Sequence, residues 1–187
     1  MSKQNKNLSL SPVNDLHESE YRWFAIYTKY KGEKQVIREL LKKGIEAYTP
    51  LLEVTKKYSR KVKNYNVPLL NCYVFVKISR KEYVKVLETQ HVINYVKIRK
   101  DLVAIPKTEI DLLKRIVGEF KDVSIAQGEY KIGDQVEVVG GSLTGLKGHL
   151  ININGKKDFL INLEKSGFQL LINIDPKLLR PVGISLA

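Results

Sequence analysis

The chain has 187 residues, 43% of them hydrophobic and 9% aromatic, which suffices for one ordinary domain or two small ones and argues against global disorder. No run of roughly 18 apolar residues is present, which argues against a membrane-spanning helix, and the polar stretch Met1 to Glu20 has no apolar signal-peptide core, so a cytoplasmic protein is expected. The formal net charge of +12 is concentrated in residues 21–120, with 22 Lys/Arg against 10 Asp/Glu, while residues 129–187 carry 7 against 6; that asymmetry implies two different partners, the first polyanionic.

In chain order, residues 1–20 read as a flexible tail, and Arg22 to Thr28 as a strand of aromatic and β-favouring residues. A helix is predicted from about Lys31 to Lys43, with Val36, Ile37, Leu40 and Leu41 forming its buried stripe and Gly44 its stop. Glu46 to Val54 reads as extended and, because of Pro50, as an edge strand. Lys56 to Asn66 reads as a basic connection, and the run Leu69 to Ile78 holds a central strand around Tyr73–Val76. Ser79 caps a short helix to about Glu88, with Tyr83, Val84 and Leu87 inward; Val92 to Arg99 is a strand, and Val103 to Ile105 a short one. Pro106 opens a last helix carrying Ile110, Leu113, Ile116, Val117 and Phe120. The result for residues 21–120 is an α+β sandwich with helices on a mainly antiparallel sheet.

Residues 121–129 lose periodicity and read as a linker. Residues 130–187 change texture: strands at Gln135–Val139, Leu150–Ile153, Phe159–Leu163 and Leu170–Ile174, punctuated by Gly and by an Asn154-Gly155 hairpin signal, predict a small all-β barrel. Cys72, the one cysteine, sits in an apolar run and reads as a core residue. His17, His91 and His149 stand apart from one another, so no metal site is expected.

The residues also suggest surfaces. Lys31, Lys34, Arg38 and Lys42 fall within an arc of about 80° on the first helix at 100° per residue, with Lys29 just before them. This basic stripe is suited either to phosphate contact or to solvent. Lys56, Lys57, Arg60, Lys61 and Lys63, with Tyr58 and Tyr65 interleaved, form either a nucleic-acid-grasping hairpin tip or a solvated loop. There is no G-x-S-x-G, no phosphate-binding loop ending in Lys-Ser/Thr and no Cys-His pair, so no enzyme and no cofactor is expected.

Five segments in register resemble the NusG family of transcription factors. Trp23-Phe24-Ala25-Ile26-Tyr27-Thr28 is similar to its opening strand and Glu33 to Leu41 to its first helix. Val67 to Val76 resembles its Phe-Pro-Gly-Tyr-Val strand, and His91 to Val96 with Ile105-Pro106 the close of its N-terminal (NGN) domain. Gly133-Asp134-Gln135-Val136-Glu137-Val138 and Gly145-Leu146-Lys147-Gly148 resemble the KOW motif of its SH3-like barrel. Leu70-Asn71-Cys72 stands where the family has Phe-Pro-Gly, and the segment from Trp23 to Pro50 is most similar to specialised antiterminators of the UpxY type, more distantly to RfaH.

The resemblance implies a patch formed by Leu70, Tyr73, Phe75 and Tyr95, exposed for docking onto the clamp helices of the RNA polymerase largest subunit. It implies non-template DNA on the basic stripe and a ribosomal protein or Rho as candidate partner of the barrel. A monomer that suppresses pausing and termination is expected, with no helical refolding of the barrel. The alternatives are a housekeeping elongation factor and a KOW-bearing RNA-binding or ribosome-associated protein.

Overall fold

In a computed structural model the described residues are 13–59, 61–119, 123–126, 133–153, 156–163 and 165–182. Arg60, Phe120, the Asn154-Gly155 turn and most of the predicted linker lie outside them.

The first half is built on a four-stranded antiparallel sheet in the order β2-β5-β1-β6: β1 (Arg22–Thr28), β2 (Glu46–Tyr48), β5 (Tyr73–Ile78) and β6 (Val92–Tyr95). β5 is interior, as its sequence implies; the single edge strand expected over Glu46–Val54 instead breaks at Thr49-Pro50, leaving β2 as an edge of this sheet and a separate strand that begins at Leu51. Alternation along β1 sends Phe24 and Ile26 to one face and Trp23 and Ala25 to the other. The first face, with Val74, Val76 and Ile78 of β5, is covered by Val36 and Leu40 of α1 (Glu33–Lys42) and Val86 of α2 (Tyr83–Leu87). The second face, with Phe75, packs with Ile110, Leu113 and Ile116 of α3 (Lys107–Glu119). α3 is seated further by Lys114, whose ammonium lies 5.6 Å from the Trp23 ring centroid and 5.3 Å from that of Tyr48.

Several expectations are corrected. Leu41 is exposed, because it sits about 120° around the helix from the centre of the stripe that Val36 and Leu40 define. In α2 the inward residue is Val86 rather than Val84, which is exposed. Ser79 does cap, reciprocally with Glu82: the Glu82 carboxylate accepts from both the Ser79 N–H (3.0 Å) and its hydroxyl (2.7 Å). Val103 to Ile105 forms no strand; Ile105 makes an isolated bridge to Trp23. Residues 13–20 are no free tail. The Asp15 N–H donates to the Leu102 carbonyl, the Ala104 N–H donates to the Asp15 carboxylate, and the Arg80 N–H donates to the His17 carbonyl.

The basic connection is a hairpin, β3 (Leu51–Tyr58) and β4 (Lys61–Pro68), paired with each other and not with the four-stranded sheet. A bond from the Leu69 N–H to the Pro50 carbonyl (2.8 Å) closes its base.

The second half is a six-stranded antiparallel sheet in the order β12-β8-β9-β10-β11-β7. Its strands are β7 (Val123–Ile125), β8 (Gln135–Val138), β9 (Lys147–Ile153), β10 (Lys156–Leu163), β11 (Phe168–Ile172) and β12 (Leu179–Pro181). Two features depart from expectation. β7 comes from the predicted linker, pairing Val123 with Ile172, because its Val and Ser-Ile pattern fits a strand edge. The outer strands β7 and β12 are not paired with each other among the described residues, so the pairing establishes a sheet rather than a closed barrel. Gly148 is required by a close approach: a Cβ there would lie 2.5 Å from the Leu160 carbonyl oxygen and 2.6 Å from the Phe159 ring.

Cys72 is half-buried, in a turn rather than in the core, with φ 65°, in the left-handed region where the family's motif has glycine. Its N–H donates to Glu33 Oε1 (2.7 Å) and its carbonyl accepts from the Thr28 N–H (2.8 Å), so the turn is held in spite of the side chain. Left-handed backbone costs an L-residue about 1–2 kcal/mol, partly offset by the greater freedom that glycine loses on folding. Cys72→Gly is therefore expected to stabilise the fold by about 0.5–1 kcal/mol, read as a higher urea midpoint at unchanged slope; a lower midpoint would contradict the strain assigned to this turn.

Candidate protein and nucleic-acid interfaces

Of the four residues assigned to a docking patch, three form part of the interior. Phe75 is fully buried, Leu70 is 3% exposed and Tyr95 is 3% exposed. Tyr95 is also on the wrong face: its ring belongs to the core under α1, stacks on Tyr83 at 4.4 Å, and its hydroxyl donates to the Tyr83 carbonyl. Tyr73 and Phe75 do share a face, as the alternation requires, and that face holds a residue which sequence reasoning missed. Tyr27 lies opposite Tyr73 in register, with ring centroids 4.7 Å apart, and accepts a hydrogen bond from the Tyr73 hydroxyl (2.8 Å). A signal was available, because Trp23, Ala25 and Tyr27 alternate along β1. Burial first, and then the bond to Tyr27, push the Tyr73 phenol above its usual range.

The expected exposure fails because the second half covers this face. Phe168, at the start of β11, sets its ring edge-on to both Tyr73 (4.9 Å, 87°) and Phe75 (6.5 Å, 87°). Beside it, the Glu109 carboxylate of α3 accepts from two successive N–H groups of the β10–β11 turn, Lys165 (3.0 Å) and Ser166 (3.1 Å). Arg115 donates to the Ser142 carbonyl (3.2 Å). Apolar residues of both halves, including Phe75, Ile116, Leu143 and Ile172, form one continuous cluster.

The basic surfaces are open. Lys29, Lys31, Lys34, Arg38 and Lys42 are all exposed, but the stripe is not uniform. Lys31 precedes the helix at φ 60°, its ammonium 5.1 Å from the Tyr30 ring centroid. Lys34 Nζ donates to the Asn66 carbonyl of β4 (2.7 Å), and Lys42 pairs with Glu39 (2.9 Å). On the hairpin, Lys56 stands directly opposite Lys63, and alternation puts Lys61 and Tyr65 on their face and Lys57 on the other. Like charges in register destabilise a hairpin by a few tenths of a kcal/mol, and Glu53 is the sole acid in the sequence of β3 and β4. Among the described residues no His/Cys/Asp/Glu cluster could hold a metal, and no helix is long and apolar enough to cross a membrane.

The family model described as "Transcription termination factor nusG" matches residues 21–114, half of the chain, spanning the four-stranded sheet, the hairpin and the start of α3. The chain belongs to the NusG family. Among solved structures it is similar to one titled "Domain interaction in Thermotoga maritima NusG", at 16% identity, covering 88% of this chain and 98% of that one with a TM-score of 0.53, a likeness of fold. An MjSpt4:Spt5 complex aligns at 18% identity over 86% of this chain and 97% of that one, with a TM-score of 0.31. No curated protein matches. The NusG-family chain is thus a member of a transcription-factor family with a mixed α/β fold of antiparallel sheets.

The cover over Tyr73 and Phe75 yields a prediction. Phe168→Ala removes the ring that meets both, at a cost of about 2 kcal/mol for a half-buried Phe. Amide exchange is expected to accelerate in β5 and in residues 163–168 while α1 stays protected. Unchanged protection at all three would show that the ring has no part in the docking.

Proposed function

We propose that this NusG-family chain is an antitermination and elongation factor that binds RNA polymerase through the Tyr27–Tyr73–Phe75 face of residues 21–120 and contacts non-template DNA with its exposed lysines. The observation that carries the reading is the coincidence of three things on one module. The segment matched by the family model also bears the aromatic face and the excess positive charge. A cluster of aromatics in a concave face is the kind of surface that supplies most of the energy of a protein interface. The lysines add a sequence-tolerant attraction to nucleic acid.

On this reading the polymerase clamp helices take the place of Phe168, so the second half has to move aside for docking. Residues 21–120 then act as an NGN domain and residues 130–187 as a KOW module whose near-neutral charge suits a protein partner, a ribosomal protein or Rho. Bridging the polymerase keeps its active conformation populated and makes pausing and termination less frequent. Leu70-Asn71-Cys72 in place of Phe-Pro-Gly favours a specialised factor of the UpxY type over a housekeeping one.

Two measurements test this. In pull-downs with core RNA polymerase, Phe168→Ala is expected to capture several-fold more polymerase than the parent chain, and Tyr73→Ala, checked for folding, several-fold less. Equal capture by all three would refute the docking face. For single-stranded DNA, each hairpin lysine changed to Gln is expected to shrink the slope of log affinity against log salt by about 0.7; a slope that ignores Lys56→Gln and Lys63→Gln would remove the hairpin from the interface.

A further inference from the structure

At the end of the β1–β5 pair remote from Tyr27 and Tyr73 lies a cleft of about 440 Å³, a size that suits a small ligand. Its floor is Trp23 and Ile105, joined by a bond from the Ile105 N–H to the Trp23 carbonyl (2.8 Å). Lys77 stands directly across from Trp23 on β5, and Lys107 opens α3 just beyond Ile105. The remaining wall comes from the segment 13–20, which contributes Asp15 and Glu20. None of these residues belongs to the Tyr27–Tyr73–Phe75 face or to the two basic surfaces.

The wall is firmly attached. Asp15 Oδ2 accepts from the Ala104 N–H (2.9 Å), and the Arg22 guanidinium donates both to the Asp15 carbonyl (3.2 Å) and to Glu20 Oε2 (3.0 Å). Each carboxylate has thus committed one oxygen to the protein, and a carboxylate offers about four acceptor sites in all, so both can still accept at the cleft. The lysines are available in the same sense. Lys77 pairs with Glu46 (3.3 Å) and Lys107 with Asp111, but all four side chains are at least a third exposed, and pairs of that kind are held weakly. Since β1 runs between β5 and Ile105, Asp15 and Lys77 stand on opposite sides of Trp23. Hydrogen-bond acceptors on one side, an apolar floor and ammonium groups on the other match a flat, donor-bearing ring that carries an anionic tail. The carboxylates also repel a continuous phosphate backbone, which favours a free nucleotide over a strand.

We propose that this cleft binds a free guanosine nucleotide, with its base over Trp23 and Ile105, its polar edge toward Asp15 and Glu20, and its phosphates on Lys77 and Lys107. Guanine presents a ring N–H beside an exocyclic amine, two donors that one carboxylate accepts together. Adenine presents a lone pair beside its amine, which a carboxylate opposes. Bound in this way, the nucleotide ties the segment 13–20 to the start of α3. The site is separate from the proposed polymerase and DNA surfaces, and neither reading depends on the other.

The experiment titrates the full chain with GDP, inosine diphosphate, ADP, guanosine and inorganic tripolyphosphate by calorimetry at fixed salt. The parent chain is expected to bind one GDP, several-fold more tightly than inosine diphosphate, which lacks the exocyclic amine, or ADP. Guanosine, without phosphates, is expected to bind about ten-fold or more weakly. Lys77→Gln and Lys107→Gln are each expected to weaken GDP about ten-fold while keeping its advantage over ADP, and Lys34→Gln on α1 to bind as the parent does. Amide exchange with and without GDP locates the site independently of any variant, and GDP is expected to slow it in residues 13–20 and 101–107. A parent that binds no GDP, or binds GDP and ADP equally, overturns the proposal. Tripolyphosphate as tight as GDP, or a loss that follows Lys34 rather than Lys77 and Lys107, reduces the effect to general charge attraction and overturns it too. Each of these outcomes leaves polymerase capture by the Tyr73 and Phe168 variants to be judged on its own.

Discussion

The packing of Phe168 against Tyr73 and Phe75 is the contact on which the arrangement of this molecule depends. Edge-to-face rings add about 0.5–1.5 kcal/mol each to what burial contributes, and here two such contacts join the four-stranded and six-stranded sheets. Without them, the face of the first sheet that α3 leaves uncovered would present tyrosine and phenylalanine to water. Glu109 makes the contact specific. Its two oxygens accept from consecutive backbone N–H groups, a geometry that fixes the β10–β11 turn in position as well as in distance. A neutral, apolar junction flanked by a few directional bonds resembles an interface between domains more than the interior of one.

The positive surface follows a different logic. The junction keeps charge at its margin, whereas α1 and the hairpin gather lysines with few acids to neutralise them. Lys56 facing Lys63 across the ribbon is a local conflict that folding alone would not select. On the proposed reading, a nucleic-acid strand along the ribbon would relieve it. Lys42 shows the contrast: it is paired with Glu39, whose carboxyl it holds below the usual range, and so contributes less to the surface potential than its exposure suggests.

Most of the fold was legible because its elements obey simple periodicities. The 3.6-residue spacing of Val36 and Leu40, the period-two alternation of β1 and β5, and the Ser79–Glu82 cap each appear in the chain as they appear in space. The misreadings share a cause, which is information that lies outside the segment being read. The stretch around Val123 looks like a linker until β11 offers it an edge. Residues 13–20 look like a tail until Leu102 and Ala104 supply partners. Tyr73 and Phe75 share one face, as alternation along β5 requires. Its burial was not legible, since nothing within β5 reveals that a phenylalanine 93 positions along the chain will close over it. Tyr95 faces the other side because it stands opposite Ile26 of β1 and shares that residue's core under α1, a pairing that nothing within β6 reveals.

The strand at Val123–Ile125 gives the chain a leash of two lengths. While β7 stays zipped to β11, just four backbone steps separate Glu119 from Val123, and the C-terminal sheet can stray no more than about 15 Å from the end of α3. If β7 peels away, sixteen steps separate Glu119 from Gln135, and the reach grows to about 55 Å. Local concentration falls roughly as the −3/2 power of tether length, so the change dilutes the sheet about eight-fold around its own docking face. One short strand thereby sets both how far the second half can travel and how readily it returns.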